Sequence, residues 1–380
     1  MGIKKAEKAI IVGIATPGIR NWQAQEHLNE LARLVETASA QVVRHFIQRL
    51  RAFNAATLIG KGKVEEIFEH CQEVEAKLVV FDDDLSGSQV RNLEKMMPGI
   101  KILDRTGIFL DIFARHAHTA ESRIMVEIAQ LEYSMPRLTR AWTHLSRQVG
   151  GIGTRGPGET QLEVDRRNIR KRIKELKKRL KKIECTREMQ AENRYDTFHI
   201  AVVGYTNAGK STLTNQLTDA EVLVADKLFA TLDATTRQIF LDPHKKAILS
   251  DTVGFIRKLP HRLITTFRST LGVASSADCI LEILDANAPD YKEHLKVTQS
   301  TLKNLIPDDI PRVRVFNKID CIDDNRHEEL KINYPEAILI SAQEQIGFAE
   351  LKGSLNKVYD RWKAQRENDM LEQQENDSLW

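Results

Sequence analysis

Cysteine is scarce and scattered in this chain: Cys71, Cys185, Cys279 and Cys321 form no CxxC pair and have no histidine at zinc spacing. That excludes a disulfide scaffold and a structural zinc site, and leaves structural thiols in a reducing compartment. No apolar stretch reaches the roughly 18 residues that a bilayer span requires, and no signal peptide is read. A cytoplasmic protein is expected, with peripheral membrane association left open. Aromatics make up only 6%, and 56 Lys+Arg against 53 Asp+Glu leave a net charge of just +3. Any affinity for nucleic acid must therefore come from local clustering. What is present in ordinary measure is apolar content, 42% over 380 residues. That is enough for two or three domains with their own cores.

One stretch organises the rest. Gly204-Tyr205-Thr206-Asn207-Ala208-Gly209-Lys210-Ser211 follows an apolar run ending at Val203 and precedes a helix-like segment, Thr212 to Leu217. Strand, glycine loop and helix are the setting in which GxxxxGK[ST] binds phosphate, through converging backbone N–H groups and a helix N-terminus. Lys210 is expected to reach the β/γ-phosphates and Ser211 to bind Mg²⁺. Alone, the pattern arises by accident in roughly one percent of chains this long.

Its downstream company removes that doubt. Asp251-Thr252-Val253-Gly254 ends an apolar run: Asp251 can hold Mg²⁺ through water, and the Gly254 N–H can bond the γ-phosphate. Asn317-Lys318-Ile319-Asp320 ends another. A carboxylate at Asp320 suits the paired N1–H and N2–H₂ donors of guanine, which adenine lacks, while Asn317 and Lys318 brace the loop and cover the base. Ser341-Ala342-Gln343 completes the set, its amides near guanine O6. In this order, each at a strand end, the motifs read as a P-loop GTPase taking GTP/GDP with Mg²⁺. Between them lies Leu228-Phe229-Ala230-Thr231-Leu232-Asp233-Ala234-Thr235-Thr236. A switch loop needs a hydroxyl that binds Mg²⁺ only while γ-phosphate is present. Thr231 is the first choice, and spacing leaves Thr235 and Thr236 open. Phe255 stands where Ras-like enzymes carry the glutamine that orients water. Slow unassisted hydrolysis follows, with Lys210 and Gly254 as catalytic groups and Asn207 as a candidate partner of a bound K⁺.

The remaining regions frame this domain. Ala9–Ile14, Ala40–Val43 and Lys77–Phe81 are strand candidates between helical stripes at 24–38, Val64–Val74 and Gln89–Met97, a small parallel α/β unit. Leu58-Ile59-Gly60-Lys61-Gly62-Lys63 reads as a solvated turn or an RNA-backbone contact, not a second nucleotide site. Ile124, Ile128, Leu131, Met135 and Leu138 repeat at heptad spacing, as do Leu162, Ile169, Ile173, Leu176, Leu180 and Ile183. The two runs predict a long antiparallel helical hairpin. Its tip, Gln148 to Glu159, is glycine-rich and flanked or carried by Arg147 and Arg155. A partner contact and a flexible linker are the two readings of such a loop. Twelve Lys/Arg between Arg166 and Arg187 face only Glu175 and Glu184, which points to phosphate backbone and, without aromatics, to structured RNA.

These residues also carry a family resemblance. Gly153-Thr154-Arg155-Gly156-Pro157-Gly158-Glu159-Thr160-Gln161-Leu162-Glu163 with Asp165-Arg166-Arg167 closely resembles the signature of the HflX GTPases, as do GYTNAGKST, LFATLD, DTVGFI, NKID, IGKGKVEEI and Leu103-Asp104-Arg105-Thr106. The resemblance implies a ribosome-associated GTPase that binds the 50S subunit and splits or rescues stalled ribosomes; a monomer is expected. It implies contact with 23S rRNA through the arm and tip, a switch segment from Phe229 to Asp233, and Thr231 as Mg²⁺ ligand. Ala234 in place of Pro, Met125 in place of Gln, and Arg115-His116-Ala117-His118 depart from the family pattern. The expected fold is α/β: a unit at 1–105, the hairpin at 106–195, a Ras-like G domain at 196–366 and a flexible acidic tail at 367–380. A non-catalytic RNA-binding assembly factor with GTP as a latch is the alternative.

Overall fold

The computed structural model describes residues 6–138, 161–192, 197–218, 228–229, 232–233, 235–260, 263, 274–303, 306–307 and 309–377. The chain divides into two units, Met1–Ile183 and Glu184–Trp380.

In the first unit, strands β1 (Glu7–Ala15), β2 (Ala40–Arg49), β3 (Leu78–Phe81) and β4 (Lys101–Asp104) form a wholly parallel sheet in the order β2-β1-β3-β4. Parallel neighbours need crossovers, supplied by α1 (Asn21–Thr37), α2 (Lys61–Val74) and α3 (Gly87–Met96). The central strands β1 and β3 read as continuous apolar runs because both of their faces are covered. Ser86 caps α3 as a reciprocal box: its Oγ accepts from the Gln89 N–H and the Gln89 side chain accepts from the Ser86 N–H. The turn before α2 is anchored, not solvated throughout. Leu58 and Ile59 lie in the core and the Gly60 N–H donates to Gln48 Oε1 at 3.1 Å, leaving Lys61 and Gly62 exposed.

Beyond β4 come α4 (Arg105–His116) and α5 (Ala120–Ser134). Their junction rests on Asp104, fully buried. Its Oδ1 accepts from the Gly107 N–H (2.9 Å) and Tyr133 Oη (2.7 Å), and its Oδ2 from the Leu85 N–H (3.0 Å) and Arg137 Nη2 (2.5 Å). Beside it Arg105, 1% exposed, is held by Asp82 and Glu30. Buried charges are tolerable only when paired and hydrogen-bonded in this way. Arg137 lies over the Tyr133 ring, 3.6 Å from its centroid.

Helix α6 (Gln161–Glu192) packs on α5 through Ile128, Ile173 and Leu176, flanked by Ile124, Leu131, Ile169 and Leu180. Glu127 binds Arg172 and Glu132 binds Lys177, both at 2.8 Å. Glu127 and Arg172 each precede a seam residue, and Glu132 and Lys177 each follow one. The seam is shorter than its heptad pattern predicts: α5 stops at Ser134, and Met135–Arg137 is a 3₁₀ turn. Pro136 brings no N–H to continue the helix, and Arg137 is drawn to Asp104 and the Leu85 carbonyl. Met125, a departure from the family pattern, is fully buried. The expected tip at 148–159, with Arg147 and Arg155, lies outside the described residues. Along α6, Arg167, Arg170, Lys171, Lys174, Lys177, Lys178, Arg179, Lys181 and Lys182 are exposed.

The second unit is built on β5 (Phe198–Gly204), β6 (Thr235–Asp242), β7 (Lys245–Asp251), β8 (Cys279–Asp285), β9 (Arg312–Asn317) and β10 (Ile338–Leu339), in the order β10-β9-β8-β5-β7-β6. All pair in parallel except the edge strand β6, antiparallel to β7. Helices α7 (Lys210–Thr218), α8 (Tyr291–Lys303), α9 (Asp324–Asn333) and α10 (Phe348–Asp377) accompany the sheet. Phe198 is boxed by Tyr359 and Trp362 of α10. That helix does not end near residue 366; it continues to Asp377 through the stretch expected to fray. Its Glu, Gln, Leu and Met content favours propagation once a helix is nucleated.

Candidate nucleotide-binding site

Parallel strands deliver their C-terminal ends to one edge of a sheet, where such folds bind ligands. Here the four motifs follow β5, β7, β9 and β10 at that edge. The loop after β5 turns on Asn207 (φ +60°) and Gly209 (φ +90°). At Gly209 a side chain is barred twice, by the positive φ and by the Asn317 amide, which a Cβ would strike.

Lys210 opens α7. Its Nζ donates to the carbonyls of Gly204 (3.2 Å) and Tyr205 (2.7 Å), capped by its own loop. Burial pushes the Lys210 ammonium down to about 8, against the opposing pull of Asp251. Ser211 Oγ donates to Asp251 Oδ2 at 2.6 Å. A hydroxyl and a carboxylate side by side are the hard oxygen donors that Mg²⁺ takes alongside phosphate oxygens and water. Among the described residues no group of three or more His, Cys, Asp or Glu is placed for another metal.

The DxxG turn is laced to the P-loop. The Thr206 N–H donates to the Phe255 carbonyl (2.7 Å) and the Phe255 N–H to the Gly204 carbonyl (3.0 Å). Thr252 Oγ1 donates back to the Val202 carbonyl at 2.7 Å. Gly254 lies so close that a Cβ would sit 2.8 Å from both Lys210 Nζ and Thr206 Cγ2. Phe255 packs among Ala201, Val203, Ala277, Ile280, Leu302 and Ile306, 1% exposed. The residue at the glutamine position is a core residue.

On the base side, Asn317 Nδ2 donates to the Ala208 carbonyl and its Oδ1 accepts from the Ala342 N–H, both at 2.9 Å. One buried amide thus ties the phosphate loop to the Ser341 loop. Lys318 takes a left-handed conformation (φ +66°) and donates to Asp285 Oδ2 at 2.7 Å. The Ile319 N–H donates to the Ile340 carbonyl. Asp320 is exposed, and a hydrogen bond from the Ser341 hydroxyl holds its carboxyl below the usual range, helped by the Cys321 thiol. Gln343 is exposed on the same loop.

Of the switch segment, Leu228, Phe229 and Leu232 are buried, and Asp233 is partly exposed. Ala230, Thr231 and Ala234 lie outside the described residues. Thr235 starts β6 opposite Asp251, and Thr236 Oγ1 meets Ser250 Oγ at 3.0 Å, which also contacts His199 Nε2. The Thr236 hydroxyl is therefore engaged within the sheet. Sequence reasoning missed the role of Tyr205: its Oη accepts from the Arg257 N–H at 2.8 Å and its ring stacks on His294 with centroids 3.7 Å apart. An x position in a glycine motif carries no signal for such a contact.

Residues 25–114, 116–194 and 199–318 match the families described as GTP-binding GTPase N-terminal, GTP-binding GTPase Middle Region and 50S ribosome-binding GTPase. The GTPase HflX of Caldanaerobacter subterraneus subsp. tengcongensis is 45% identical over 353 residues, covering 92% of this chain and 80% of that one. The GTPase HflX of Escherichia coli K12 is 42% identical over 339 residues, covering 87% and 79%. The crystal structure of SsGBP with GDP aligns over 94% of this chain and 99% of its own with a TM-score of 0.53; at 23% identity it speaks for the fold. With such identity along nearly its whole length, this chain belongs to the HflX family of GTPases.

Proposed function

We propose that this GTPase binds the large ribosomal subunit and couples GTP binding and hydrolysis to splitting or rescue of ribosomes. The observation that carries the reading is the Asn317 brace, which holds phosphate and base loops as one seat for a guanine nucleotide. Gly204 to Ser211 cradle the phosphates, Lys210 and the Gly254 amide stabilise the transferring phosphoryl group, and Asp320 reads guanine. Ser211, with Thr231 and with Asp251 through water, would hold Mg²⁺, which neutralises phosphate charge when bound. Asn207 is assigned to a K⁺; equal rates in Na⁺ and K⁺ buffers would remove that assignment. The exposed Lys/Arg of α6 supply a face for 23S rRNA, and the 50S ribosome-binding description of the family matching 199–318 supports that partner. The working division is an α/β unit (1–105), an arm (106–195), a G domain (196–366) and a C-terminal segment (367–380), acting as a monomer.

The test is GTP turnover by the purified protein with and without 50S subunits, beside an Arg155→Ala variant of the tip. Stimulation that the variant loses supports the reading. A second reading, GTP as a latch on a non-catalytic assembly factor, is favoured by Phe255 being a core residue where a glutamine would orient water. GTP binding without any ribosome-stimulated turnover would select it.

A further inference from the structure

Thr206 lies in the P-loop, 7% exposed, and its Oγ1 has no hydrogen-bond partner among the described residues. A buried hydroxyl left unsatisfied costs about 1–3 kcal/mol. Thr214 and Thr298 also carry buried unpartnered hydroxyls, but both stand on helices, where a rotation brings Oγ1 onto the preceding turn. Thr206 stands on a loop without that recourse. Its own N–H is already committed to the Phe255 carbonyl, so the side chain is what it has left to offer a ligand. Its methyl and Lys210 Nζ both crowd Gly254, within 2.8 Å of where a Cβ would be. A side chain pressed against Gly254 lies at the γ-phosphate end of the nucleotide seat.

We propose that the Thr206 hydroxyl is a further catalytic group of this GTPase, hydrogen-bonding the γ-phosphate end of GTP and aligning the attacking water. The inference rests on the nucleotide seat proposed above. In the step, the water oxygen bonds to Pγ as the bond from Pγ to the β–γ bridging oxygen breaks. The electron pair leaves with GDP, and the water proton passes to the released phosphate. Thr206 Oγ1 accepts from the water, donates to a γ-phosphate oxygen, and is unchanged at the end. It thereby fills the role that Phe255, turned into the core, cannot perform.

Thr206→Val keeps the branched shape and removes the hydroxyl; Thr206→Ser keeps the hydroxyl. Three quantities are measured in the full chain: GDP affinity, affinity for a non-hydrolysable GTP analogue, and the single-turnover hydrolysis rate. A hydrogen bond to a charged group predicts a rate about tenfold to a hundredfold lower for Thr206→Val. GDP affinity stays within about twofold while analogue affinity falls, because only the analogue has a γ-phosphate, and Thr206→Ser restores most of the rate. Wild-type hydrolysis by Thr206→Val would overturn the proposal, as would loss of GDP affinity in step with rate. A wild-type chain that binds no GDP would instead overturn the seat itself.

Discussion

Installing the missing glutamine should harm this enzyme. Phe255→Gln replaces a ring that is 1% exposed and surrounded by Ala201, Val203, Ala277, Ile280, Leu302 and Ile306. Truncating a buried Phe typically costs about 3–5 kcal/mol. The glutamine stem recovers part of that packing, but its amide enters an apolar cluster, adding about 1–3 kcal/mol where no partner is found. The expected net loss is about 3–6 kcal/mol, a large share of the 5–15 kcal/mol or so that a domain commonly has. Urea denaturation followed by the fluorescence of bound mant-GDP should show the midpoint fall, with no gain in single-turnover hydrolysis. An unchanged midpoint together with faster hydrolysis would refute the reasoning, because the side chain would then have to face the nucleotide.

Asn317→Ala removes the tie between the Ala208 carbonyl and the Ala342 N–H. GDP affinity should fall about tenfold to a hundredfold, measured by calorimetry. The Asp320 pKa is lowered in the folded state, so its ionised form contributes fully above the unfolded value near 3.9 and is lost as pH falls through the lower folded value. Guanine binding should therefore persist below the ordinary carboxylate range, and Ser341→Ala should move the acid loss of GDP binding upward in pH. Asp104→Ala leaves the Leu85 and Gly107 amides, Tyr133 Oη and the Arg137 guanidinium without their shared acceptor. A loss of about 3–5 kcal/mol in thermal or urea unfolding of the first unit is expected.

Much of this architecture was legible because its signals are local. GxxxxGKS, DxxG and NKxD each need a loop at a strand end, and the apolar runs before them are the strands that supply it. The parallel α/β pattern of the first unit was read from the same alternation. What was not legible depends on tertiary partners. The edge strand β6 carries alternating exposure and takes its place only by pairing with β7. The heptad of α5 runs on in sequence past the point where Pro136 and the pull of Asp104 on Arg137 end the helix. Phe255 looked like a defect in a catalytic motif; its direction is set by the backbone lacing with Gly204 and Thr206, which no pattern of residue types records.

The four donors converging on Asp104 come from widely spaced parts of the chain, Leu85, Gly107, Tyr133 and Arg137. During synthesis the strand and helix around Asp104 emerge before Tyr133 and Arg137 do. A nascent chain ending between them has a carboxylate to bury and only its two backbone amides to meet it. Closure of the Asp104 junction is thus timed by the arrival of residue 137, and the sheet and the foot of α5 should lock in one cooperative event. Stalled chains released just before and just after that residue should differ sharply in protease resistance; equal resistance would mean that the sheet consolidates without the clasp.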